Sequence, residues 1–157
     1  MELTTAMLIG MHACPHGLDW FVRQNETDVG KLIELVIDNL NDNTFPYANW
    51  GITRLLDKTN KTRYAVFAAE LVLPIFEEKY PDDDRPRKAI EAAKAVIIEE
   101  NRLDVAAADA AYAAARAAAC AVAYATRAAS AAACAAGNKE VQKKILEYGK
   151  SLLIGNK

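Results

Sequence analysis

Cysteine, histidine, tryptophan and proline are all scarce in this chain of 157 residues, with 3, 2, 2 and 5 copies respectively. The odd set Cys14, Cys120 and Cys134 builds no disulfide framework and suits a reducing cytoplasm. Both histidines, His12 and His16, lie near the start. Catalysis that needs a His paired with Asp, or a His placed beside a nucleophile, therefore has little to draw on, and neither a nucleophile elbow nor a phosphate loop is present. His12, Cys14 and His16 together still lack a fourth ligand and any CxxC pair, so a small buried Cys14 beside surface histidines is expected rather than a metal site. Contiguous Asp83 and Asp84 could hold Mg²⁺, but carboxylates just before a helix are commonly a cap. No enzyme activity and no cofactor are expected.

Long apolar runs are missing too. None approaches the roughly 20 residues a bilayer requires, which excludes a membrane span. Met1–Gly10 has Glu2 near its front and no basic n-region, so a secretory leader is not expected and a soluble cytoplasmic protein is. Nor is there an excess of positive charge: the net charge is −2, the first 80 residues carrying 7 basic and 11 acidic groups and the remainder 12 and 10. General nucleic-acid binding needs a concentrated basic face, so a protein partner is the more natural expectation.

What the chain has in abundance is alanine. Between Val105 and Ala136, 21 of 32 residues are Ala, with no Gly or Pro. These residues favour one long helix, about 48 Å if continuous, or two abutting ones. Val105, Asp109, Tyr112, Arg116, Cys120, Tyr124, Arg127, Ser130 and Cys134 recur at steps of three and four and share one sector, leaving an alanine surface that lets neighbouring helices approach closely. The polar stripe of Tyr112, Arg116, Tyr124 and Arg127 reads either as an internal network organised with Asp109 or as a binding surface.

The remaining segments read as shorter helices. Met1–Gly10 gives a short helix or an extended arm. Pro15 opens a helix to about Asn25 that turns Leu18, Phe21 and Val22 to one side. Thr27 and Asp28 are N-cap candidates for a helix to Leu40, with Val29, Leu32, Ile33, Val36, Ile37 and Leu40 inward. Thr44 can cap the next, ending near Asp57, in which Trp50 and Arg54 stand four apart, so the guanidinium can reach the indole as packing or as a partner-facing hot spot. Residues 60–80 continue in phase past Pro74, which predicts a kink rather than a stop, with Ile75 and Phe76 still inward. A helix to about Glu100 follows, burying Ala89, Ile90, Ala93, Val96 and Ile97. The last helix runs from Lys139 to about Ile154. About seven helices in a single all-α domain are expected, sequential ones as neighbours.

Between the two central helices lies Pro81-Asp82-Asp83-Asp84-Arg85-Pro86-Arg87. Its carboxylates suit a helix N-terminus, whereas Arg85 and Arg87 oppose the dipole there. Forked guanidiniums beside three carboxylates suggest a salt-bridged joint between helices, or a ligand-binding or partner-binding cluster, and if at least one arginine is buried in an ion network its removal is destabilising.

Three blocks carry a resemblance: Ala13-Cys14 with Gly17-Leu18 and Trp20-Phe21; Asn49-Trp50 through Arg54-Leu55-Leu56; and Asp83-Asp84-Arg85-Pro86-Arg87-Lys88-Ala89-Ile90-Glu91-Ala92. With the alanine tract they resemble the all-helical immunity proteins of bacterial polymorphic toxin systems, relatives of which occur in phage genomes, over residues 12–136. The resemblance implies a cytoplasmic, non-catalytic protein that binds and neutralises a toxin or a host defence factor, with the family's polar positions on Asp84, Arg85 and Arg87. Val96 stands where the family often has Trp. Two other readings stay open: a small-ligand or nucleotide site in which the Arg/Tyr stripe meets Arg85 or Arg87, and a homo-oligomer packed through alanine faces.

Overall fold

A computed structural model of the chain describes residues 1–100 and 139–155. The alanine tract, with Tyr112, Arg116, Tyr124 and Arg127, lies outside the described residues. Seven helices make up the described part: α1 (Thr5–Gly10), α2 (Pro15–Gln24), α3 (Val29–Asp38), α4 (Thr44–Leu55), α5 (Lys58–Lys79), α6 (Arg85–Glu100) and α7 (Lys139–Ile154). No strand occurs among the described residues beyond one isolated antiparallel bridge between Glu2 and Asp28. The class is all-α. Sequential helices pack as neighbours in the pairs α1 with α2, α3 with α4, and α5 with α6.

The chain divides into two compact units, Met1–Leu55 with Gln142–Lys157, and Leu56–Val141. The first unit begins with an extended arm rather than a helix from Met1. Leu3 N–H donates to the Thr27 carbonyl at 2.8 Å, and Val29 N–H to the Met1 carbonyl at 2.9 Å. Helix starts are fixed by short polar side chains, since the first turn has no internal acceptors for its N–H groups. Thr4 accepts from Met7 N–H at α1, and Asp28 from Lys31 N–H at α3. Cys14 does the same at α2, its Sγ accepting from Gly17 N–H at 3.4 Å.

That role corrects the expectation of a buried thiol: Cys14 is exposed, because an N-cap side chain must lie beside the open first turn. His12 and His16 are exposed as expected. His12 sits at φ 62°, with its N–H on the Ile9 carbonyl and the Ala13 N–H on that of Leu8, which is the left-handed hydrogen-bonded stop that ends many helices. Thr44 is a second correction. It is the buried first residue of α4, and Asn41 Oδ1 accepts from the N–H groups of Asn43 and Thr44 in its place.

The core of the first unit uses large side chains: Phe21, Leu32, Ile33, Val36, Phe45 and Ile52, with Ile145 and Leu146 from α7. Val22 is exposed, contrary to its apolar phase. Gly30 lets α7 lie close on α3, since a Cβ there would stand 2.9 Å from Ile154 Cδ1. Beside it, Lys150 pairs with Glu34.

In the second unit α5 starts on Asp57, whose two carboxylate oxygens accept from the backbone and side-chain amides of Asn60, each at 2.8 Å. The helix passes through Pro74, which leaves the Glu70 carbonyl without its usual i+4 donor. Past that point the expectation of continued burial fails: Ile75 is exposed. The seam between α5 and α6 is built from Ala65, Val66, Ala69, Ile90 and Ala93, with Leu73 and Ile97 against them. On α6 the positions Ile90, Ala93 and Ile97 follow the three-and-four spacing of an antiparallel helical seam. Burial pushes the Tyr64 phenol well above its ordinary range.

Candidate functional site

The tip of the α5–α6 hairpin gathers exposed aromatic, apolar and charged groups. Tyr80 caps α5, its N–H on the Phe76 carbonyl at 2.9 Å, and Asp83 N–H returns to the Tyr80 carbonyl at 3.1 Å. That i to i+3 bond, with Pro81 in second position, closes a turn, and Pro86 in the first turn of α6 restarts the helix.

The arginines sort themselves between loop and joint. Arg85 folds back on its own loop, Nε donating to Asp83 Oδ1 at 2.8 Å and Nη2 to Oδ2 at 2.6 Å. This forked bond holds the Asp83 carboxyl down to about 2. Arg87 reaches across the hairpin, donating from Nε to Glu77 Oε1 at 2.8 Å and from Nη2 to Oε2 at 2.7 Å. Asp84 takes a third course, pairing with Lys88 one helical turn on at 2.6 Å.

A salt-bridged joint between helices was expected, and Arg87–Glu77 is one. Glu70–Lys94 is a second, seven positions along each helix, so the two pairs form a ladder beside the apolar seam. The condition of a buried arginine is not met: the Arg85 and Arg87 side chains are 86% and 54% exposed. The apolar seam of the hairpin stops short of the connecting loop, which stays in water.

Around these pairs stand groups that the sequence does not mark as part of a site, Ile75 and Phe76 being expected inward. Tyr80 and Ile75 are 47% and 44% exposed. The Phe76 ring lies 5.0 Å from that of Tyr80, and Lys79 Nζ is 5.4 Å from the Tyr80 ring centroid. Glu78 and Asp82 are exposed as well. Glu77 as the partner of Arg87 was not legible, because a pairing ten residues apart depends on the length of the turn between them.

Trp50 and Arg54 belong to the first unit, on α4, where the guanidinium carbon stands 5.7 Å from the indole centroid. Trp50 is half-buried and Arg54 exposed, as the four-residue spacing allows. The other four candidate residues, Tyr112, Arg116, Tyr124 and Arg127, fall outside the described residues. Among the described residues no group of three or more His, Cys, Asp or Glu side chains could hold a metal ion, and no helix is long and apolar enough to cross a membrane.

A family model described as Imm-5 like putative immunity protein matches residues 52–147. No curated protein and no solved structure matches the chain. The matched segment takes in both helices of the hairpin and its DDRPR turn, one of the three blocks that carried the resemblance in the sequence, while the block from Ala13 to Phe21 lies outside it. Over more than half of its length, therefore, this chain belongs to the Imm-5-like putative immunity protein family.

Proposed function

We propose that the protein neutralises a protein toxin by binding it without catalysis, and that the tip of the α5–α6 hairpin is the contact surface. The observation that carries this reading is the exposure of Ile75, Tyr80 and Arg85 at and near the turn of the α5–α6 hairpin, within the family-matched segment. Tyr and Arg are the residues that most often dominate the energy of an interface, and an apolar neighbour supplies area that water leaves on docking. The ion pairs Arg87–Glu77 and Arg85–Asp83 hold the loop in one shape before the partner arrives, which lowers the ordering cost of association. Exposed Glu78 and Asp82 favour a partner with a cationic face.

Affinity capture with the full chain from its source cells, followed by expression of each captured protein alone and with the chain, tests both halves of the proposal. A captured protein that stops growth alone and is harmless in co-expression is the expected result. The double variant Ile75→Asp, Tyr80→Asp should lose capture and protection while keeping its melting temperature, since both side chains are exposed. Protection that survives the double variant would move the contact surface away from the tip.

A further inference from the structure

The first unit holds a cavity that the immunity reading does not use. It measures about 350 Å³ and lies among α1, α2, α3 and α4, with every lining residue between Leu3 and Leu55. Its wall is made by aliphatic groups such as Leu8 and Ile33 and by the rings of Trp20, Phe21, Tyr47 and Trp50. No Lys, Arg, Asp or Glu lines it. It is partly open to solvent, an apolar cleft rather than a sealed void, and is far larger than the water-sized gaps that close packing leaves. Nor is it a natural place for bulk water, which needs two to four polar partners per molecule.

The helix sequences show how the space is kept open. Gly17 brings α2 close to α4: a Cβ there would touch Cys14 Sγ and Tyr47 Cδ1, each at 3.4 Å. The Trp20 and Tyr47 rings, one on each of these helices, stand 6.3 Å apart and tilted by 43°, within the range of an aromatic pair. Gly51 and Ala48 also line the cavity, and a Cβ added at Gly51 would meet nothing within 4 Å. Small residues sit where larger ones would fill the void.

We propose that this cavity is a binding site for an uncharged aromatic molecule of two fused rings, of the size of indole or naphthol. An apolar cavity of roughly 150 Å³ accepts benzene, so one a little over twice that volume suits a bicycle with room for a single polar substituent. Aromatic walls reward a flat ring through edge-to-face contact. An ionised ligand is disfavoured because its charge would leave water with no Lys, Arg, Asp or Glu on the wall to meet it, the one imidazole there, His12, being exposed. The site is independent of the hairpin surface proposed above, and neither stands or falls with the other.

The chain carries its own reporters, because its two tryptophans, Trp20 and Trp50, both line the cavity. The ¹⁵N-labelled full chain is titrated with unlabelled 2-naphthol at neutral pH, and the two indole N–H resonances are followed. Both should shift together and saturate at one equivalent. The anion 2-naphthoate, with the same rings, should bind at least about ten-fold more weakly. Gly51→Leu and, as a second variant, Ala48→Leu should abolish saturation while the melting temperature holds or rises, since each fills space and improves helix propensity or burial. Indole signals that drift linearly without saturating, naphthoate binding as tight as naphthol, or full affinity in both folded variants would each overturn the assignment.

Discussion

The helices of the first unit and the hairpin of the second solve the same packing problem with opposite residues. In the first unit the core is bulky, with Val36, Phe45 and Ile52 each 1% exposed. In the hairpin it is small, with Ala65, Ala69 and Ala93 along one seam. Bulky side chains hold helix axes apart and must interdigitate, and where Gly17, Ala48 and Gly51 break the pattern a cavity remains. Alanines let two axes approach closely along the seam, and the charged groups of α5 and α6 are displaced to the flanks and the tip. The first unit accordingly keeps an apolar cavity, and the hairpin of the second carries its charges on the flanks and at the tip.

If that contrast is right, the two cores should fail in opposite ways. Removing bulk should be the most damaging change in the first unit: Phe45→Ala should lower stability by about 3–5 kcal/mol, read as a fall in the urea midpoint at constant slope. Adding bulk should be the damaging change in the hairpin. Ala93 is fully buried in the seam, and Ala93→Leu should cost about 1–3 kcal/mol by forcing α5 and α6 apart. A neutral Ala93→Leu would mean that the seam has slack, and the contrast would lose its second half.

Most of this architecture was legible from phase and caps. The helices opening at Pro15 and Asp28 and the last helix from Lys139 to Ile154 follow from local chemistry, and so does the Trp50–Arg54 stack, because each depends on residues within one helical turn. What was not legible depends on tertiary partners. The apolar phase of α5 continues through Ile75, but α6 starts only at Arg85, and the side chain stays exposed. Phase reports which face a residue occupies; it does not report whether anything covers that face. For the same reason the three acids and two arginines of the turn were seen as a cluster, while their sorting was not. Asp83 serves Arg85, Asp84 serves Lys88, and Glu77, outside the cluster, serves Arg87. The cavity was illegible for a further reason: four helices must be assembled before the small residues at 17, 48 and 51 can be seen to share a space.

A smaller effect tests whether helix starts in the hairpin obey the rules seen in the first unit. Asp57 caps α5 through both Asn60 amides, and Asp57→Ala should cost about 1 kcal/mol, with Asp57→Ser recovering part of it. Because Asn60 is buried, the Ala variant also leaves its side-chain amide in search of an acceptor, so the loss should fall at the upper end of the range for a cap. A loss no larger for Asp57→Ala than for Asp57→Ser would show that the backbone, not the carboxylate, sets the start of α5.

The smallest expected effect separates the two regions by the origin of their low carboxyl pKa values. In the first unit Glu26 is lowered mainly by the backbone N–H groups of Asp28 and Thr27, and Asp28 mainly by the N–H of Lys31. In the hairpin Asp83 is lowered to about 2 mainly by the Arg85 guanidinium. A carboxyl whose pKa is depressed on folding contributes stability that is fully present above its unfolded value, near 3.9, and is lost as pH falls through the folded value. The Asp83–Arg85 fork should therefore hold through pH 4 and open only as pH approaches 2. Carboxyl ¹³C shifts of the full chain, followed over that range, measure this directly. Arg85→Gln should raise the Asp83 midpoint toward the ordinary 3.8 and leave Asp28 where it was. Molar salt should raise Asp83 in the same direction, because an exposed ion pair is screened, and should move Asp28 less, because its main partner is a short backbone hydrogen bond at 3.0 Å. Equal salt shifts for the two aspartates would show that both regions hold their carboxylates by long-range charge, and the distinction between a capped unit and an ion-paired one would not survive at their surfaces.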